Sequence, residues 1–253
     1  MAKILSFANQ KGGVGKTTSA VNVAASLGVI GYRVLIVDLD PQGNSTSGVG
    51  ISKRGLKMTT KEALLGQGKP QDIIIKTEFE NLSIIPCNTT LAGAEFDLFD
   101  YDNNEFRLKS FLEPVADDYD YIIIDCPPSL GMLTVNAMAA SDGVVVPMQC
   151  EFYALEGLSQ LLINVKRINK LYNPKLSVCG ILITMYNSRL LLSSQVIGEI
   201  EKYYGDKLFA AKISRSVKLS EAPSFGKPVY YHSKSSKATR EYIAVAKELS
   251  ERI

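Results

Sequence analysis

A short apolar run, Ile4–Ala8, leads into Lys11-Gly12-Gly13-Val14-Gly15-Lys16-Thr17-Thr18, and an apolar-periodic segment, Lys16–Ile30, follows at once. Few folds accept that succession. The first run reads as a strand, the periodic segment as a helix, and Gly31 is placed to cap that helix. The turn between them has the chemistry of an anion cradle. Glycines permit positive φ and let backbone N–H groups come close to phosphate oxygens. The helix N-terminus points at the same anion. The usual phosphate-loop spacing, Gly-x-x-x-x-Gly-Lys-Ser/Thr, would put its leading glycine at position 10, which is Gln10. The match is therefore to a variant, Lys-Gly-Gly-x-Gly-Lys-Thr-Thr. In such a loop Lys16 bridges the β- and γ-phosphates and the Thr17 hydroxyl ligates Mg²⁺. A glycine-rich turn with an incidental lysine is the alternative, and it leaves the strand and helix on either side unexplained.

The rest of the chain continues the alternation. Val34–Asp38, Leu82–Pro86, Tyr121–Asp125, Val144–Pro147 and Val178–Thr184 read as strands, several of them β-branched and continuously apolar. Strands buried on both faces of a parallel sheet have that composition. Glu105–Val115, Ala154–Leu171, Ser194–Tyr204 and Ala238–Arg252 have helical periodicity. The expected fold is α/β: a doubly wound, mostly parallel sheet flanked by helices, with ligands beyond the C-terminal ends of its strands. No Pro/Gly/Ser-rich linker interrupts the 253 residues, so a single domain over 1–253 is expected.

Composition limits the partners. Net charge is +2, so affinity for nucleic acid needs a local patch. No apolar run approaches the roughly eighteen residues of a membrane span, and the first residues lack the pattern of a signal peptide. A cytoplasmic protein is expected. Four cysteines, at 87, 126, 150 and 179, form no CxxC pair, and they read as small hydrophobes rather than metal ligands or disulfides.

Three aspartates end strands near the loop: Asp38 and Asp40 after the second, Asp125 after Tyr121–Ile124. Asp125 suits Mg²⁺ held through water, since Mg²⁺ usually keeps several waters. Asp38 reads either as part of the Mg²⁺ shell or as a strand-end carboxylate. The one histidine, His232, reads as a surface residue. A guanine reader, Asn-Lys-x-Asp, is absent: the one Asn-Lys, Asn169-Lys170, runs into Leu171-Tyr172 inside a helix. ATP is therefore the expected nucleotide. Between Lys207 and Arg240 stand Lys207, Lys212, Arg215, Lys218, Lys227, Lys234, Lys237 and Arg240 against Glu221 alone. Such a face suits phosphate backbones irrespective of sequence. A solvated lysine-rich loop is the alternative.

The loop variant, together with Val37-Asp38-Leu39-Asp40-Pro41-Gln42-Gly43-Asn44, Ile124-Asp125-Cys126-Pro127-Pro128-Ser129-Leu130, Ala154-Leu155-Glu156-Gly157 and Leu219-Ser220-Glu221-Ala222-Pro223, resembles the deviant-Walker ATPases, and within them the ParA/Soj chromosome and plasmid partition proteins. The resemblance implies an ATP-sandwich homodimer in which Lys11 reaches the nucleotide of the other subunit. It implies that Asp40 positions the hydrolytic water, and that the base lies between the loop after Val178–Thr184 and the loop 213–216. There Ser214 and Ser216 are the polar candidates, and Ile213-Ser214-Arg215 replaces the more usual Ile-Pro-Arg. It implies nonspecific double-stranded DNA contacts at Arg189 and Lys218, with Arg215, Lys227, Lys234 and Lys237 in the same basic face. A ParB-type centromere-binding protein would stimulate an ATPase that is weak alone, and the protein would be nucleoid-associated.

Two other readings share the loop. A positioning ATPase resembling MinD needs an amphipathic membrane helix at its C-terminus, whereas residues 238–253 mix acidic and basic side chains. An iron–sulfur reductase resembling the nitrogenase iron protein needs two cluster cysteines per subunit. Cys126 lies too close to its strand to match, and Cys87 lacks a companion.

Overall fold

A computed structural model describes residues 1–253. The strands are β1 (Lys3–Phe7), β2 (Val34–Asp38), β3 (Ile75–Lys76), β4 (Leu82–Ile85), β5 (Tyr121–Asp125), β6 (Gly143–Gln149) and β7 (Ser177–Thr184). They form one seven-stranded sheet in the order β3-β4-β2-β5-β1-β6-β7. Every pairing is parallel except that of the short edge strand β3 with β4. Side chains alternate across the sheet with period two. Thus Leu35, Val37, Ile122 and Ile124 enter one core, while Val34, Ile36, Tyr121 and Ile123 enter the other. Both faces must then be covered by helices. The first core is closed chiefly by α3 (Thr60–Leu65), α6 (Arg107–Leu112), α7 (Met132–Ala140) and α8 (Ala154–Leu171). The second is closed by α1 (Lys16–Val29) and α12 (Lys237–Arg252).

α12 lies along α1, with Tyr242, Val245, Ala246 and Leu249 buried. The Tyr242 hydroxyl meets Ser19 Oγ at 3.3 Å. The apolar face of this last helix is therefore spent inside the domain. No helix is long and apolar enough to cross a membrane.

Six strands fall within a residue or two of the expected bounds, β6 differing most, while the two-residue edge strand β3 was not expected. The helices differ more. α7 was not expected. It is apolar all round, and Leu133, Thr134 and Asn136–Ala140 are buried, so it shows no periodic stripe. The helix expected over Glu105–Val115 is three short pieces, with α6 between 3₁₀ turns at Asn104–Phe106 and Glu113–Val115. Pro114 has no N–H to give to a continuing helix. α9 (Leu191–Tyr204) begins at Leu191 rather than Ser194. Short helices α2 (Asn44–Gly48), α4 (Pro70–Ile73), α5 (Leu91–Asp97), α10 (Val217–Glu221) and α11 (Val229–His232) also carry too few residues to show a period. Cys87 and Cys126 are buried thiols, while Cys150 and Cys179 are partly exposed.

Candidate functional site

β1 ends at the middle of the sheet, between β5 and β6, and residues 9–15 follow it. Gly13 (φ 73°) and Gly15 (φ 85°) take the left-handed conformation, and Gly15 directly precedes α1. The loop is braced from the neighbouring strand ends. Asn9 Nδ2 donates to the Pro147 carbonyl (2.8 Å), and Asn9 Oδ1 accepts from Lys11 N–H (3.0 Å). Gln149 Nε2 donates to the Gly13 carbonyl at 2.9 Å. The Thr184 hydroxyl lies 2.7 Å from the Val14 carbonyl and 3.1 Å from that of Met148. Gln149 and Thr184 have no signal in the sequence, because each acts through a long-range contact.

Lys16 Nζ turns into the loop and donates to the Lys11 carbonyl at 2.9 Å. Burial lowers its pKa, and the charges of Asp125 and Asp40 oppose that shift. A buried cation in a glycine loop at the N-terminus of a helix is a fit for polyphosphate. Lys11 points elsewhere: its ammonium lies 5.8 Å from the Tyr153 ring centroid.

Asp38 and Asp125 are register partners at the ends of β2 and β5, and both are fully buried. Their hydrogen bonds separate their roles. Asp38 Oδ2 accepts from Thr46 N–H (2.7 Å) and Oγ1 (2.6 Å), while Oδ1 accepts weakly from Asp40 N–H (3.4 Å). Thr46 Oγ1 in turn accepts from Cys87 N–H at 2.8 Å. Asp38 thus clamps α2 and the end of β4 onto β2. Both of its oxygens are engaged within the chain, Oδ2 strongly and Oδ1 weakly. Asp125 Oδ2 accepts from Ser45 Oγ at 2.8 Å, but Oδ1 is buried without a partner. The Thr17 hydroxyl also bears on this carboxylate. An orphaned carboxylate oxygen beside a threonine hydroxyl and a phosphate loop fits Mg²⁺. No cluster of three or more His, Cys, Asp or Glu side chains gathers to hold a metal. A Mg²⁺ here would take most of its ligands from phosphate and water, as that ion usually does.

The same pair sets a pH dependence. Burial, and then the charge of Asp38, raise the Asp125 pKa; burial, opposed by hydrogen bonds from Thr46, raises that of Asp38. A carboxyl held above its unfolded value of 3.8 contributes most stability below that pH. The contribution is lost as pH rises towards the folded value. Without Mg²⁺, the melting temperature should therefore fall more steeply between about pH 5 and about pH 8 in the native chain than in Asp125→Asn. Parallel thermal melts give the answer, and identical slopes would remove Asp125 as a source.

Asp40 is buried at the mouth of the site. Its Oδ1 accepts from Gln42 N–H (2.9 Å) and its carbonyl from Gly43 N–H (2.8 Å), while Oδ2 makes no hydrogen bond within the chain. One oxygen is fixed by the turn and the other is free to hold a water.

A cavity of about 270 Å³ opens beside Gly15 and Thr18, walled by Met185, Ile213, Ser216 and Pro223. Ser214 also lines it, but its hydroxyl and N–H both bond Glu241 (2.7 and 2.9 Å), and Lys237 Nζ donates to the same hydroxyl (2.9 Å). Ser214 therefore helps wall this cavity, with its polar groups engaged by Glu241 and Lys237. Ser216 directly precedes α10 and makes no side-chain capping hydrogen bond.

The expected basic face divides. Lys218 pairs with Glu221 at 2.9 Å, and Lys237 with Glu241 at 3.5 Å. Exposed pairs of this kind exchange readily. Lys227 lines a cavity with Thr17, Thr18 and Asn44, which places it on the nucleotide side rather than with the other cations. Arg189 and Arg215 carry no ion pair, and Lys234 lies 5.3 Å from the Tyr230 ring centroid. The segment 186–190 lies against 213–215: Tyr186 N–H donates to the Ile213 carbonyl at 2.8 Å. A second cavity, of about 390 Å³, forms where these segments meet, with Ser188, Leu190, Arg215 and Lys237 among its walls. Met185, Ser214 and Arg215 belong to both cavities.

Residues 2–178 match the family described as an AAA domain. The chain is 52% identical over 250 residues to the sporulation initiation inhibitor protein Soj of Bacillus subtilis, covering 99% of each. It is 48% identical over 252 residues to the chromosome partitioning protein ParA of Myxococcus xanthus, covering 100% of this chain and 89% of that one. Among solved structures, a cobyrinic acid a,c-diamide synthase from Mycobacterium smegmatis with bound ATP analogue and magnesium shares the fold at TM-score 0.89 and 36% identity, covering 99% of this chain and 95% of that one. The chain belongs to the ParA/Soj family of partition ATPases.

Proposed function

We propose that this chain is an ATP-driven switch for DNA partitioning. ATP closes a sandwich homodimer, the dimer binds double-stranded DNA without sequence preference, and a ParB-type partner stimulates hydrolysis and release. The observation that carries the reading is the shared wall between the two cavities. Met185, Ser214 and Arg215 face the base cavity on one side and the basic cavity on the other. A base seated on one side bears directly on the residues that would meet phosphate on the other.

The residues divide the work. Lys16 and the loop N–H groups hold the β/γ-phosphates, and Thr17 with Asp125 holds Mg²⁺, which supplies charge neutralisation at the phosphoryl oxygens. Asp40 orients the attacking water. Lys11 of the partner subunit adds a positive charge that is present only in the dimer, in the manner of an arginine finger. The diamide synthase relative, solved with an ATP analogue and magnesium, supports the ligand assignment. The packing of the apolar face of α12 on α1 supports this reading over the membrane-bound alternative.

The test is DNA binding with ATP, ADP and no nucleotide, with and without the partner, over a salt series. DNA affinity should require ATP. Arg189→Ala should weaken binding to unrelated duplexes alike, since phosphate contacts carry no base information. Each neutralised phosphate contributes about −0.9 to the slope of log K against log salt, so two copies should flatten it by up to about 1.8. An unchanged slope with ATP-dependent dimers intact would place the DNA surface elsewhere.

A further inference from the structure

Apolar side chains stand among the cations on both segments that meet at the basic cavity. Leu190 and Leu191 are 52% and 74% exposed, directly after Arg189, and Val217 is 70% exposed between Arg215 and Lys218. Leu190 lines the cavity together with Arg215 and Lys237. Single exposed leucines are ordinary. Here two are consecutive, and the Tyr186–Ile213 hydrogen bond (2.8 Å) brings up a second segment that continues, four residues on, to the exposed Val217.

Resting on the DNA reading above, we propose that Leu190 and Leu191, with Val217 on the facing segment, form an apolar knob. The knob seats in a groove of duplex DNA while Arg189, Arg215 and Lys218 neutralise the phosphates on either side. Charge complementarity selects this occupant. The cations flank the knob in sequence on both segments, and a duplex offers apolar sugar faces between two anionic rails. Proteins that enter the minor groove combine the same residue types, apolar wedges with arginine and lysine. A bilayer fits less well, because it needs a continuous apolar helix face. The knob occupies only the first turn of α9. The helix's exposed positions beyond it are Ser194, Gln195, Gly198, Glu199, Glu201, Lys202 and Tyr203, of which only the last is a large apolar side chain.

An apolar contact and a phosphate contact differ in salt dependence, which makes them separable. In the double variant Leu190→Ser/Leu191→Ser, DNA affinity with ATP should fall by about tenfold at every salt concentration, with the slope of log K against log salt unchanged. Leu191→Met, which keeps the apolar volume, should bind as the native chain does. Arg189→Ala should do the reverse of the double variant and flatten the slope. Native affinity in the double variant would overturn the knob while leaving the partition reading standing. So would a flattened slope in the double variant. Loss of ATP-dependent dimers in that variant would make the leucines a protomer contact instead. Binding of the native chain to phosphatidylglycerol vesicles, lost in the double variant while DNA binding persists, would make the knob a lipid contact. If DNA binding proves independent of ATP and Arg189→Ala leaves the slope unchanged, the underlying reading fails before the knob is at issue.

Discussion

Asp40→Ala should form dimers with ATP and bind DNA in that state, yet its partner-stimulated turnover should fall by about a hundredfold or more, the usual scale for losing a group that positions or deprotonates a nucleophile. The separation follows from the hydrogen bonds. Lys16 turns into the loop and Asp125 keeps Ser45 as its partner, and neither depends on the Asp40 side chain. What Asp40 supplies is Oδ2, which is uncommitted within the chain, while Oδ1 is fixed by Gln42 N–H at 2.9 Å. Removing the side chain orphans that N–H in a turn, a cost of about 1 kcal/mol. The variant should therefore melt slightly lower than the native chain but remain folded. Asp40→Asn keeps an acceptor for Gln42 and so restores the melting temperature without restoring turnover. Single-turnover phosphate release with partner present is the measurement. A rate within a few-fold of native would remove Asp40 from the reaction.

The phosphate loop was legible because its chemistry is local: glycines, a lysine and a threonine between a strand and a helix are adjacent in sequence and in space. The strands were legible because burial on both faces leaves continuous apolar runs. Asp38, Asp40 and Asp125 stood out together by position at strand ends, and the family resemblance alone set Asp40 apart. The difference in their hydrogen bonding could not be read there. It depends on Thr46, which reaches back to Asp38, and on Ser45, which engages only one oxygen of Asp125. Nothing in the local sequence distinguishes the three carboxylates on that ground.

A cavity opens where the resemblance implied, between the loop after β7 and the loop 213–216, but the partners of Ser214 and the spread of the basic residues were not legible, for a related reason. Glu241 lies in the last helix and controls Ser214, 27 positions earlier in the chain. Its glutamate signal in sequence is that of any solvated helix residue. Lys227 looked like one more cation in a basic run, yet the turn after α10 carries it to the cavity beside Thr17 and Thr18. Charge counts along a chain locate a basic segment. Which of its cations share one face is decided by turns, and those turns are short helices with too few residues to show a period.

Gly12→Val should bind ATP as a well-folded monomer and fail to dimerise. The case rests on what surrounds Gly12 in one chain. A Cβ added there meets nothing within 4 Å, and Gly12, unlike Gly13 (φ 73°) and Gly15 (φ 85°), does not need the left-handed conformation. Valine at position 12 thus meets neither a steric nor a backbone obstacle inside the protomer. The melting temperature should stay near native, whereas Gly13→Val should lose about 1–2 kcal/mol to backbone strain. In a sandwich dimer the phosphate loops face each other, and the exposed side of Gly12 is the space the second subunit must enter. A branched side chain there blocks closure without touching Lys16, Thr17 or Asp125. Two losses should follow together. Partner-stimulated turnover should disappear, because Lys11 of the partner subunit no longer arrives. The salt slope for residual DNA binding should fall to about half the native value, because one protomer presents each cation once. Light scattering with ATP reads the dimer directly. A normal ATP-dependent dimer of Gly12→Val would overturn the sandwich arrangement. A monomer that had also lost ATP would show instead that the substitution had damaged the loop itself.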